Sequence, residues 1–94
     1  MIEFSNKSVQ YSISNTGQNY KLIGSIRVDA EDNITDFNGT FYDLEDNYLG
    51  NFNYRENTEG NCDKYLNNVQ KATFSTIDAF LDQTIEELKA GMPE

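Results

Sequence analysis

The chain has 94 residues, of which 37% are hydrophobic and 13% aromatic, enough for one small core and too few for two. Sixteen acidic residues against seven basic ones leave a net charge of -9, which disfavours phosphate backbones and anionic lipid, so neither nucleic acid nor a membrane surface is an expected partner. A single cysteine, Cys62, excludes an internal disulfide, and the absence of histidine removes Ser-His-Asp and Cys-His catalysis along with the commonest transition-metal ligand.

Residues 1–94 therefore read as one domain. No apolar run reaches the roughly 18 residues of a membrane span, and Met1 to Val9 lacks the basic-then-apolar plan of a leader. The expected location is cytoplasmic; a secreted chain stripped of its leader gives the same reading.

In chain order, the first predicted strand runs through Val9, Tyr11 and Ile13. Ile2 and Phe4 carry the opposite parity, so a bulge or break is expected between Ser5 and Lys7. A turn follows at Asn15-Thr16-Gly17-Gln18, where Asn and Gly supply the conformations a reversal needs. Two further turns echo one another: Asp29-Ala30-Glu31-Asp32-Asn33 and Asp43-Leu44-Glu45-Asp46-Asn47 recur fourteen residues apart. Asp and Asn side chains bond nearby backbone groups, and Asn tolerates the left-handed conformation of hairpin loops.

The segments between these turns alternate as strands do. Four-residue loops pair Ser14 with Asn19, Asp29 with Ile34 and Asp43 with Tyr48, which sorts the side chains onto two faces. One face is apolar, with rows Tyr11–Leu22–Phe41–Gly50, Val9–Gly24–Gly39–Phe52 and Ile26–Phe37–Tyr54, and with Ile13 beside Tyr20. Gly24 and Gly39 lie side by side, and Phe52 faces Gly39, an alternation of large and small that lets a covering element approach. The other face is polar, with rows Ser12–Lys21–Tyr42–Leu49 and Gln10–Ile23–Thr40–Asn51, and with Asp36 between Arg27 and Arg55.

From Asn61 onward, Leu66, Val69, Thr73, Ile77, Phe80, Thr84 and Leu88 recur at three and four residues, widened by Tyr65, Leu81 and Ile85. This predicts a helix from about residue 62 to 90, capped by Asn61 and stopped by Gly91 and Pro93. Such a helix would be roughly 43 Å long, about twice the span of the strands, so a break is the alternative. Ser75-Thr76-Ile77-Asp78 then reads as a second capping box after a kink near Phe74. The expected fold is a two-layer α+β domain, β-β-β-β-α, a four-stranded antiparallel meander of order 1-2-3-4 with the long C-terminal helix packed on its apolar face.

No phosphate-cradling glycine loop is present, and Asp78, Asp82 and Glu86 lie on one helix side as a solvated charge run. The favoured reading is a nonenzymatic interaction module without a cofactor, binding a protein partner through the open polar face; self-association is the further option, by strand addition or a symmetric dimer at the edges of the first and fourth strands. Ile23, Thr40, Tyr42, Leu49 and Asn51 are its candidate contact residues. A calcium- or small-ligand-binding module is the second reading, resting on Asp29, Glu31, Asp32 and Asn33 or on Asp43, Glu45, Asp46 and Asn47, although neither run has the Gly and Glu spacing of an EF-hand. An enzyme working with carboxylates alone is the third.

Overall fold

A computed structural model describes residues 2–4, 10–29, 33–57 and 59–91, with side chains from residue 10 onward. Among these the chain forms six strands, β1 (Ile2–Phe4), β2 (Gln10–Thr16), β3 (Tyr20–Val28), β4 (Ile34–Asp43), β5 (Tyr48–Glu56) and β6 (Cys62–Asn67), then a 3-10 turn at Lys71–Thr73 and a helix, α1 (Phe74–Gly91). The strands make one antiparallel sheet in the order β1-β2-β3-β4-β5-β6. The α+β antiparallel architecture thus agrees with expectation, while the sheet has six strands and not four. The bulge expected between Ser5 and Lys7 falls outside the described residues, as does Val9; before it, β1 pairs with β2 so that Phe4 lies opposite Ile13.

The centre of the sheet follows from its turns. Asp43 reverses the chain by accepting the Glu45 and Asn47 amides on Oδ1, at 2.8 and 2.9 Å, and the Asn47 side-chain amide on Oδ2 at 2.9 Å. Asp46 takes a positive φ of 69°, and its N–H donates to the Asp43 carbonyl at 3.1 Å, the three-residue loop with a left-handed third position that suits a right-twisted hairpin. Asp29 receives the backbone and side-chain amides of Asn33 in the same way, at 3.0 and 3.4 Å. With both turns in place, Leu22 pairs with Phe41, Gly24 with Gly39, Ile26 with Phe37, and then Phe41 with Gly50 and Gly39 with Phe52, all as predicted.

The same turn occurs a third time, fourteen residues after Asp43, just ahead of the segment predicted as the helix. Asn57 Oδ1 accepts the Glu59 and Asn61 amides at 2.9 and 3.1 Å, and Gly60 holds the left-handed position with φ 83°. A hairpin turn must be followed by a strand, and Cys62–Asn67 pairs with β5. The predicted helix over 62–90 is therefore corrected to β6 followed by α1; of the alternative with a kink near Phe74, the helix after the kink is present and the helix before it is replaced by a strand. Leu66 and Val69, three apart, fit a helical stripe by spacing, but they reach the core from a strand and from the bend after it. Gly50 (φ 136°) lets this bend cross: a Cβ there would come within 2.5 Å of Val69 Cγ2 and 2.9 Å of the Asn67 carbonyl oxygen.

The 18 residues of α1 span about 27 Å, which matches strands of nine and ten residues at roughly 30 Å, so the helix covers the sheet without overhang. Ile77, Leu81, Ile85 and Leu88 enter one core with Ile13, Leu22, Ile26, Ile34, Phe37, Phe41, Phe52 and Tyr54 of the sheet. Phe52, seated over Gly39, meets Phe37 edge-on at 4.8 Å and Phe41 at 5.0 Å between ring centroids.

The first hairpin departs from prediction. Thr16 pairs with Lys21, and the Gly17 N–H donates to the Tyr20 carbonyl at 2.8 Å, so only Gln18 and Asn19 form the loop. Tyr11 lies opposite Ile26 and not Leu22, a slip of four residues that preserves which face each side chain occupies. Asn15, expected in the turn, instead lies within β2 in the interior at 3% exposure, where its amide nitrogen donates to Thr84 Oγ1 at 2.8 Å and Glu87 Oε2 at 3.2 Å. Thr84, fully buried on α1, in turn donates to the Phe80 carbonyl at 2.8 Å. A polar contact buried between sheet and helix has outweighed the local preference of Asn for a turn.

Candidate functional site

The face of the sheet away from α1 carries the predicted contact residues. Ile23, Thr40 and Asn51 stand in one continuous row, with Ser14 before them and Asn67 after. Ile23 is 49% exposed, and Thr40, Tyr42 and Asn51 are half-buried in the surface. Leu49 is placed differently. A bulge after Phe41 sets Tyr42 opposite Tyr48, in place of the expected Tyr42–Leu49 pair, and Leu49 packs against the core.

The bulge brings forward a residue that the sequence reading passed over. Tyr48, 49% exposed, stands beside Tyr42, and its hydroxyl accepts from the Asn51 amide at 3.4 Å. Tyr65 was read as helical; on β6 it lies opposite Asn53, on the open face, and is 58% exposed. A fourteen-residue period extended to Asn57 was the signal that could have found it. Around these rings lie Ser12, Ser25, Asn38 and Asn53, and the Asn53 side-chain oxygen is buried without a hydrogen-bond partner among the described residues.

The charged groups at the margins are mostly engaged. Lys21 forms an ion pair with Asp46 of the second turn, and Arg27, opposite Asp36 as expected, donates to Gln10 at 3.1 Å. Asp78 and Asp82, expected as a solvated run, both grip Lys64 of β6, at 2.7 and 2.8 Å; burial would lower the Lys64 ammonium, but these carboxylates hold it above the usual lysine value. Asp43 accepts the Asn47 backbone and side-chain amides and the Glu45 amide, and these bonds hold its carboxyl below the ordinary range. Among the described residues no three carboxylates or thiols converge as metal ligands. Glu31 and Asp32, of the other candidate loop, lie outside the described residues.

A second cluster lies where β5 ends. Glu56 accepts the Ile34 amide at 3.1 Å and the Tyr54 hydroxyl at 2.6 Å, and pairs with Lys89 near the end of α1. Burial alone would raise the Glu56 carboxyl, but Lys89, Tyr54 and the Ile34 amide together hold it below the usual glutamate value. Burial, reinforced by the neighbouring carboxylate, pushes the Tyr54 phenol up. Every member is satisfied within the cluster, so it acts as a clasp between β4, β5 and α1.

On the helix side, a groove of about 510 Å³ opens between the β2–β3 turn and α1. Its turn wall includes Gln18, Asn19 and Tyr20; its helix wall includes Thr76, Phe80 and Gln83. No helix among the described residues is long and apolar enough to cross a membrane. No family model, curated protein or solved structure matches the chain, so the reading of its function rests on these surfaces.

Proposed function

We propose that this chain is a nonenzymatic interaction module whose open sheet face docks a protein partner. The observation that carries this reading is the placement of Ile23, Tyr48 and Tyr65, each about half exposed, on a face whose middle is mostly Ser, Thr and Asn, with Lys21, Arg27, Asp36 and Arg55 toward its margins. Tyrosines supply large, stiff contact area at low entropic cost, and short hydroxyl and amide side chains supply adaptable hydrogen bonds; protein-binding surfaces use the same mixture. A flat sheet presents these groups on a rigid backbone, so little ordering opposes docking. The acidic chain favours a partner with a basic margin, which would be steered toward it.

The test is photo-crosslinking from a reactive residue placed at Asn67, at the end of the Ile23 row, in the native cell extract. One polypeptide should be captured by the otherwise unaltered chain and lost when Tyr48→Ser and Tyr65→Ser are combined. Both changes are on exposed rings, so stability should move by no more than about 0.5 kcal/mol for each. Equal capture by the double variant would reject this face.

A further inference from the structure

The groove between the β2–β3 turn and α1 lies on the helix side of the sheet, away from the proposed docking face, and its chemistry is of another kind. Its volume of about 510 Å³ is that of a small-molecule site, for which roughly 300–1,000 Å³ is usual. Among the described residues no Lys or Arg lines it, so an anion would meet no opposite charge from them. Glu87 is, among the described residues, the one carboxylate in its wall, and one of its oxygens already accepts from Asn15 at 3.2 Å.

What the groove does offer is uncharged. Gln18, Asn19 and Gln83 each carry an amide that both donates and accepts, and Thr76 adds a hydroxyl. The side chains of these four make no hydrogen bond to any other described residue. Between them lies an apolar floor: the rings of Tyr20 and Phe80, centroids 6.0 Å apart and inclined at 49°. Gly17 brings the turn down onto this floor, since a Cβ there would stand 2.8 Å from Phe80 Cε1.

A ligand complementary to these walls has hydroxyls that donate and accept in turn, a C–H face to lie on an aromatic ring, and no net charge. We propose that this groove binds an uncharged saccharide, with its ring face on Phe80 and Tyr20 and its hydroxyls on Gln18, Asn19, Thr76 and Gln83. The site is independent of the docking face, and neither proposal requires the other.

Titration of the 15N-labelled full chain with maltose, cellobiose and diacetylchitobiose, followed by amide NMR, tests this directly, with inorganic phosphate and spermidine as charged comparisons. At least one disaccharide should shift the amides of Gly17 to Tyr20 and of Ala79 to Gln83 saturably. Gln83→Ala, or Thr76→Val as a second exposed change, should weaken that binding about threefold to tenfold, the loss of one hydrogen bond, with the rest of the spectrum unmoved. The Tyr48→Ser, Tyr65→Ser double variant should bind as the parent does. No shift at tens of millimolar, shifts centred elsewhere, unchanged affinity in both groove variants, or saturation by phosphate or spermidine instead would overturn the assignment.

Discussion

The β4–β5 hairpin and the β2–β3 hairpin flank the same pair of central strands, yet different forces align them. At Asp43–Asn47 the reversal is local: one carboxylate takes three N–H groups within five residues, and after one bulge at Phe41/Tyr42 the strands run in the predicted register. At Gly17–Tyr20 the loop is short, and the residue beside it, Asn15, reaches across the core to Thr84 and Glu87 of α1, a contact that favours the slipped register. A turn that satisfies itself can be placed from sequence; a turn anchored by a helix about seventy residues away cannot.

The most severe way to break the self-aligned half is Gly39→Ala. A Cβ at Gly39 would stand 2.3 Å from the Ile23 carbonyl oxygen and 2.6 Å from Gly24 Cα, backbone atoms that cannot yield without parting β3 from β4. Urea unfolding should show a loss of about 3 kcal/mol; a loss under about 1 kcal/mol would mean the central strands are not in this register.

Asn15→Ala probes the other half. It removes the donor to Thr84 and Glu87 and leaves a small buried void, so stability should fall by about 2 kcal/mol. The effect should be accompanied by altered cross-strand NMR contacts between Tyr11 and Ile26, while those between Leu22 and Phe41 persist. Unchanged Tyr11–Ile26 contacts would show that the short loop aligns this hairpin without help from the helix.

The smallest expected effect sharpens the comparison at the far end of β5. Glu56 has its pKa depressed in the folded chain, so its stabilisation is complete above the range of a free glutamate and is lost as pH falls through the lower folded value. Glu56→Gln should cost about 1 kcal/mol at neutral pH and nothing once the parent carboxyl is protonated, so the two denaturation curves should converge on acidification. A constant gap at all pH values would indicate that shape and not charge matters there.

Particular residues show where legibility in the sequence ended. The repeated Asp-to-Asn turns placed the rows of β3, β4 and β5, and alternation assigned Ile23, Thr40, Tyr42 and Asn51 to the open side. Leu49 and Tyr48 exchanged roles because a bulge costs only one residue and leaves no mark in the alternation. Tyr65 changed element because three- and four-residue spacing between Leu66, Val69 and Thr73 suits a helix as readily as a strand end, a bend and a 3-10 turn.

Sequence by itself determined the alternation of faces, the two aspartate turns and the closing helix face, since each depends on neighbours within a few residues. Tertiary structure alone decided the slip of the first hairpin, the grip of α1 on β6 and the groove beside Phe80. Those outcomes depend on contacts between segments far apart in the chain, Asn15 with Thr84, Lys64 with Asp78 and Asp82, and Gly17 against Phe80, whose energies exist only once the helix lies on the sheet.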